Sequence, residues 1–333
     1  MLLRYFIKRL IYMVVVFLII SLLIFAIYMM VPGDPVMRFM DPEDQRLPPD
    51  IKEIIYNEIR ARLGLDRPVH IQYIRWLGNI LQGDFGISMI HNRPVIAVLR
   101  GPIMVTLQMN LIIMFIVFLV SVPLGVTTAI KKGTIYDNSA QTVTLLGFSI
   151  PVFITAIVAI MIFSVWLNLT PVSGFGDPMF LINNPDASSW EIFLDRVPFL
   201  ILPVGVLSFA SLAGLSRIVR ATMIDAMSQD YVRTARAKGL REGAVIWSHA
   251  FRNSMIPFVT SLVGWILSLL SGSIVIESIF GINGMGRAFV GSIMSQDYNM
   301  ALAIQMIFTA IILVGYIVLD FLYLVVDPRV RLD

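Results

Sequence analysis

The chain has 333 residues, of which 57% are hydrophobic and only 14% are charged, with a formal net charge of +3. Soluble domains carry about 25% charged residues, so this composition is typical of a protein that crosses a membrane several times. The small net charge does not indicate a nucleic-acid partner. The absence of cysteine excludes disulfides and thiolate metal sites, and the three scattered histidines predict no metal site.

Six apolar segments are long enough to span a bilayer, since a helix needs about 20 apolar residues to cross the hydrocarbon. They cover residues 10–31, 104–130, 139–169, 197–216, 256–276 and 301–326. The third is longer than one crossing needs and contains Pro151, which predicts a tilt or a kink. The first is too long for a cleavable signal, so we expect it to be a span. The predicted fold class is an all-α integral membrane protein with six transmembrane helices.

The basic residues of the short loops predict the orientation. They precede the first span, separate spans two and three and spans four and five, and follow the last span: Arg4, Lys8, Arg9, Lys131, Lys132, Arg217, Arg220, Arg329 and Arg331. The facing loop, residues 170–196, has four acids against the single Arg196. The positive-inside rule therefore places both termini in the cytoplasm.

The chain divides into three predicted parts. Residues 1–31 form the cytoplasmic N-terminus and first span, residues 32–101 an external helical region, and residues 102–333 a core with five spans and a cytoplasmic loop at 219–255. Within the external region, isoleucines and leucines recur at helical spacing and stop at Gly64 and again near Gly83. This pattern predicts two small amphipathic helices lying over the membrane domain.

Residues 228–257, between spans four and five, are rich in basic side chains. Asp230 is predicted to cap a short helix, because its carboxylate can accept N–H groups of the first turn. Gly239 is predicted to end that helix in the left-handed conformation. Ala235 and Ala237 predict a surface that another protein approaches closely. A docking element is the interpretation, and an ordinary basic cytoplasmic loop is the alternative.

This stretch resembles the cytoplasmic loop of permease subunits from binding-protein-dependent ABC importers, whose coupling helix carries a Glu-Ala-Ala-x-x-x-Gly pattern. Ala235 and Gly239 match that pattern, while Arg233 and Thr234 depart from it. The form of the motif found here runs from Tyr231 to Gly239 and is followed by His249-Ala250-x-Arg252-Asn253 and Pro257. It is similar to the motif of the dipeptide, oligopeptide and nickel branch of this family. The resemblance implies that an ATPase subunit contacts Tyr231, Arg233, Thr234, Ala235, Arg236, Ala237, Lys238, Gly239 and Leu240.

A glycine-rich segment lies between spans five and six, and we call it the glycine loop. It consists of Gly281, Ile282, Asn283, Gly284, Met285, Gly286 and Arg287. We reject phosphate binding, because the predicted external position has no strand before it and no helix after it. The loop resembles the external loop of the family that faces the substrate-delivering protein. The alternative is a flexible re-entrant turn.

The sequence predicts no catalytic residues. It has no Gly-x-x-x-x-Gly-Lys-Ser/Thr phosphate loop and no His-Glu-x-x-His, so we expect no cofactor on this chain and expect ATP and Mg to bind partner ATPase subunits. Three classes of function compete. They are an ABC importer permease, a secondary transporter, which would need ionisable residues within its spans, and a membrane scaffold that moves no solute.

The resemblance favours the importer permease, with the ABC permease fold and an external N-terminal insertion. It implies a second homologous permease, two ABC ATPases and an extracytoplasmic solute-binding protein as partners, in the plasma membrane of a bacterium or archaeon. Peptides are the implied cargo. Nickel or another small solute is the alternative, and an ion-coupled secondary transporter is the less favoured one.

Overall fold

The computed structural model describes residues 2–30, 34, 36–37, 40, 43–254, 264–265 and 272–326. Helices are the regular elements of these residues, apart from one antiparallel bridge between Ile87 and Pro94. The predicted all-α class is confirmed.

The helices have the following bounds. The first four are α1 (Leu2–Met30), α2 (Pro49–Leu63), α3 (Val69–Leu81) and α4 (Val95–Ile130). They are followed by α5 (Ile135–Ser149), α6 (Val152–Ala159, continuing as a π-helical segment over Ile160–Trp166) and α7 (Phe180–Asn183). Next come α8 (Ser189–Met227), α9 (Asp230–Ala237) and α10 (Glu242–Ala244, continuing as a π-helical segment over Val245–Phe251). The last three are α11 (Ile274–Ile279), α12 (Met285–Met294) and α13 (Tyr298–Val326).

Four helices among the described residues are long and apolar enough to cross a membrane, namely α1, α4, α8 and α13. The pair α5 and α6 also meets the requirement when taken together, but the two are bent by 100°. The predicted fifth span, residues 256–276, lies mostly outside the described residues, so the count of six spans stays a prediction. The predicted loop at 219–255 is described up to Ser254.

The break between α5 and α6 lies at Pro151, where the sequence predicted a tilt or a kink. Proline clashes with a helical conformation of the residue before it, and Ile150 is accordingly extended, with φ −80° and ψ 127°. Pro151 then serves as the N-cap of α6. Residues 139–169 are therefore two helices at a steep angle, which is a larger departure from one straight span than a kink.

One compact unit comprises the described parts of Met1–Gly101 and Ala288–Leu313. Both predicted amphipathic helices are present in it, as α2 and α3. The ring of Phe25 on α1 packs against Tyr73 and Trp76 of α3, with centroids 5.5 and 5.4 Å apart. Ser21 and the Tyr73 hydroxyl lie 2.8 Å apart. These contacts place α3 along the side of the first apolar helix.

A second compact unit comprises the described parts of Pro102–Arg287 and Val314–Arg331. It has two buried apolar clusters. The larger one is formed by α4, α6, α8 and α11, and the smaller one lies around the C-terminal parts of α4 and α8. The two helices approach closely at Gly125, where a Cβ would lie 2.6 Å from Val219 Cβ and 2.8 Å from the Ser216 carbonyl oxygen. The smaller cluster also includes Val232 and Ala235 of α9, so α9 packs against the rest of it.

Candidate functional site

The helix α9 is the short basic helix predicted after span four, but it begins differently from the prediction. Its N-cap is Gln229, whose side chain makes no capping hydrogen bond. Asp230 is the first helical residue, and its exposed carboxylate lies 3.5 Å from Arg233 Nη1. The predicted Asp230 cap is therefore wrong. A carboxylate in the first turn still favours the helix through its dipole.

Gly239 ends α9 as predicted. Its φ is +73°, its N–H donates to the Arg236 carbonyl at 2.9 Å, and the Leu240 N–H donates to the Ala235 carbonyl at 3.4 Å. These are the two hydrogen bonds of a Schellman motif. Nothing lies within 4 Å of the position that a Gly239 Cβ would take. The backbone conformation therefore requires glycine here, and crowding does not.

One face of α9 is anchored within the chain. Val232 and Ala235 share this face because they are three residues apart, and both are buried in the smaller apolar cluster. Their neighbours there include Met223 of α8 and Val245 after α10. Ala235 is thus core, and the expectation that it meets another protein's surface is wrong. Ala237 is exposed.

The remaining predicted residues of α9 and its C-terminus form an exposed surface. They are Tyr231, Arg233, Thr234, Arg236, Ala237, Lys238, Gly239 and Leu240. The Arg236 guanidinium donates to the Glu242 carboxylate at 2.8 and 3.4 Å, so one of the cations is oriented by a neighbour. Tyrosine and arginine are enriched at protein interfaces. A mixed basic and apolar face on an anchored helix is chemically suited to docking.

An ion pair between α8 and α5 was not predicted; its Arg220 directly follows Val219 of the smaller cluster. The Arg220 guanidinium donates from Nε and Nη2 to the two carboxylate oxygens of Asp137, at 2.8 and 2.6 Å. The Gly133 N–H donates to the same carboxylate at 2.9 Å. The Asp137 side chain is only 2% exposed. From the sequence, Arg220 contributed only to the predicted membrane orientation. No local motif connects Arg220 to Asp137.

The glycine loop is mostly turned inward. Ile282, Gly284, Met285 and Gly286 are buried, whereas the side chains of Asn283 and Arg287 are exposed; Gly281 is intermediate. The expectation that no helix follows the loop is wrong, because α12 begins at Met285. The exposed surface of the loop is therefore smaller than the predicted stretch of seven residues.

The N–H groups at the start of α12 are occupied by the carboxylate of Glu277, a fully buried residue of α11. Arg287 N–H donates to Oε2 at 2.7 Å, and the Gly286 N–H also donates to the carboxylate. The Thr106 hydroxyl donates to Oε1 at 3.2 Å. Burial raises the pKa of Glu277, and these donated hydrogen bonds oppose the rise. An internal carboxylate thus takes the position where a phosphate would bind.

Ser88, His91 and Asp297 also lie together, in the unit that contains α1. The buried Ser88 hydroxyl donates directly to Asp297, and His91 Nδ1 lies 3.1 Å from the same hydroxyl. In a nucleophilic triad the carboxylate orients the imidazole instead. Asp297 also accepts the Met89 N–H at 3.1 Å. The cluster holds a turn in place and does not activate a nucleophile.

Comparison with known proteins decides the family. A family profile described as "Binding-protein-dependent transport system inner membrane component" matches residues 121–332. A second profile, the N-terminal part of such membrane components, matches residues 2–110. The chain belongs to this family of transport permeases. The residues of α9 and the glycine loop both lie within the first match.

Individual relatives cover nearly the whole chain. It is 35% identical to the "Oligopeptide transport system permease protein AppB" of Bacillus subtilis, over 98% of this chain and 99% of the relative. It is 38% identical to the "Dipeptide transport system permease protein DppB" of Escherichia coli K12, over 99% of both chains. A "Di/tripeptide transport system permease protein DppB" of Pseudomonas aeruginosa is 36% identical over 94% of both chains.

The family resemblance drawn from the basic segment is thereby confirmed. Proteins of this family are multi-pass subunits of transport systems and are not enzymes themselves. The family description names a binding protein as part of the system. No group of residues able to hold a metal ion occurs in the described part of the chain.

Proposed function

We propose that this chain forms half of the translocation pathway of an ATP-driven ABC importer for peptides. The observation that carries the proposal is α9, a short helix whose Val232 and Ala235 are buried in a cluster with α4, α8 and the segment Val245–Phe251, and whose basic face is left exposed. The second half of the pathway is a homologous permease subunit. Two ABC ATPases bind ATP and Mg, and α9 docks on one of them.

The orientation and partners complete the proposal. Both termini lie in the cytoplasm of a bacterium or archaeon, residues 32–101 lie outside, and residues 102–333 form the permease core. A solute-binding protein docks outside on the glycine loop. Peptides are the proposed cargo because the relatives are named for oligopeptide and dipeptide transport. Nickel or another small solute is the alternative cargo.

The packing of α9 supplies a mechanism for coupling. Because Val232 and Ala235 lie in one buried cluster with side chains of α4, α8 and the segment Val245–Phe251, a displacement of α9 is passed to all three elements. ATP-driven closure of the ATPases moves α9, and the core switches between inward-facing and outward-facing states as a rigid-body change.

The coupling role of α9 is tested by Gly239→Val. A side chain at this φ costs about 1–2 kcal/mol of backbone strain and disrupts the helix end. We expect ATP-dependent uptake by the reconstituted importer to fall about ten-fold, since about 1.4 kcal/mol is a factor of ten. Membrane levels should be unchanged. Gly243→Val is the matched control, because Gly243 is also exposed with nothing within 4 Å but does not have a positive φ. Uptake at the wild-type level in the Gly239 variant contradicts the assignment.

The class of transporter is tested by reconstitution of the purified chain alone. We expect neither ATP hydrolysis nor uptake until the second permease, the ATPases and the loaded binding protein are added. Uptake driven by a proton or sodium gradient in the chain alone establishes the secondary-transporter alternative. Absence of flux with every partner present establishes the scaffold.

A further inference from the structure

Three glycines pack around the Glu277 carboxylate because no larger residue fits. A Cβ at Gly284 would lie 2.5 Å from Glu277 Cδ and 2.7 Å from Thr106 Oγ1. A Cβ at Gly286 would lie 3.1 Å from Glu277 Oε2, and one at Gly272 would overlap Oε1. Neither Gly284 nor Gly286 has a positive φ. These glycines provide the space that the carboxylate occupies.

Among the described residues, the polar groups that contact this carboxylate act as donors. The Thr106 hydroxyl accepts the Met285 N–H at 2.8 Å, so its own proton is free to point at Glu277 Oε1. The N–H groups of Gly286 and Arg287 donate as well. An ionised carboxylate is acceptor-only and satisfies all of them. A glutamine would keep the shape but present an NH₂ group to a ring of donors.

The same carboxylate joins three helices. Thr106 lies on α4, Glu277 on α11, and Gly286 and Arg287 at the start of α12. Further along α4, Val126 belongs to the buried cluster that anchors α9. At a rise of 1.5 Å per residue, Thr106 and Val126 are about 30 Å apart along one helix. The glycine loop is thus hydrogen-bonded to a helix that also contributes to the cluster around α9.

We propose that Glu277 is the positioning residue of the docking surface: its carboxylate holds the glycine loop so that Asn283 and Arg287 face the solute-binding protein, and links that surface to α4. This inference rests on the proposed docking role of the loop. Glu277 acts from within and touches neither the binding protein nor the transported solute.

The test uses the assembled importer and the variant Glu277→Gln. We expect the concentration of loaded binding protein that half-saturates ATPase stimulation to rise about ten-fold, as for the loss of a buried charged acceptor. In Asn283→Cys, cross-linking to a cysteine on the binding protein should slow by a similar factor when Glu277→Gln is added. The native chain has no cysteine, so the label is unique on this subunit.

Thr106 provides a second pair of variants that keeps the test decisive if Glu277→Gln fails to assemble. Thr106→Val removes the donor to Glu277 and the acceptor of the Met285 N–H, and should raise the half-saturating concentration about five-fold, whereas Thr106→Ser keeps the hydroxyl and should give the wild-type value. Unchanged half-saturation in both Glu277→Gln and Thr106→Val overturns the role of Glu277. Failure of Asn283→Cys to cross-link in an otherwise wild-type, active importer overturns the docking role of the loop instead.

Discussion

Two buried carboxylates of the chain, Asp137 and Glu277, have hydrogen-bond donors of different kinds. Asp137 on α5 is paired with the Arg220 guanidinium of α8, which donates to both of its oxygens. Glu277, behind the glycine loop, has a hydroxyl and backbone N–H groups as its donors. The first arrangement locks two elements together through charge. In the second arrangement a loop is shaped around an acceptor, so the geometry of the loop depends on several weaker hydrogen bonds.

Glycine serves the two sites for different reasons as well. Gly239 is needed for its positive φ, and the space around it is open. Gly284 has no positive φ and is needed because Glu277 and Thr106 occupy the space of a side chain. Backbone conformation therefore restricts Gly239, whereas internal packing restricts Gly284.

The largest effect is expected for Asp137→Asn. The change leaves the partly buried Arg220 guanidinium without its anionic partner, and breaking a buried ion pair costs about 3–5 kcal/mol. We expect a clearly lower thermal unfolding midpoint for the purified importer in detergent. Since Arg220 keeps some exposure to solvent, the lower end of that range is expected. A midpoint equal to that of the wild type would show that the pair does not hold α5 to α8.

A smaller effect is expected for Gly284→Ala. Added methyl groups in a packed site cost about 1–3 kcal/mol, and here the methyl would meet a carboxylate that cannot move without losing donors. We expect stimulation of the ATPase by the binding protein to be largely lost. The control is Gly291→Ala in α12, which has nothing within 4 Å of the new methyl group. Equal behaviour of the two variants would show that the restricted space at Gly284 does not matter for stimulation.

The smallest effect is expected for Glu242→Gln, which breaks the exposed pair with Arg236. Exposed ion pairs contribute about 0–1 kcal/mol, so the unfolding midpoint should change little and the difference should vanish at high salt. The variant is the exposed counterpart of Asp137→Asn. A destabilisation as large as that of the buried pair would mean that the face around Arg236 is covered by another subunit.

Some properties of this protein follow from the sequence alone, because they depend on neighbours along the chain. Apolar runs of sufficient length locate the spans α1, α4, α8 and α13, since helices satisfy their own backbone groups in lipid. A glycine after a basic helical stretch places the end of α9 at Gly239. The pattern around α9 also carried enough information to indicate the family.

Tertiary structure decided the properties that depend on residues distant in sequence. The partners Asp137 and Arg220 are 83 residues apart, and Thr106 and Glu277 are 171 residues apart, so no local pattern connects them. The same holds for Ala235, which the motif presents as a contact for another protein but which packing buries beneath α9. Helix ends and spans are set by local backbone energetics, whereas burial and pairing are set by which helices meet, and that is decided only when the chain is packed.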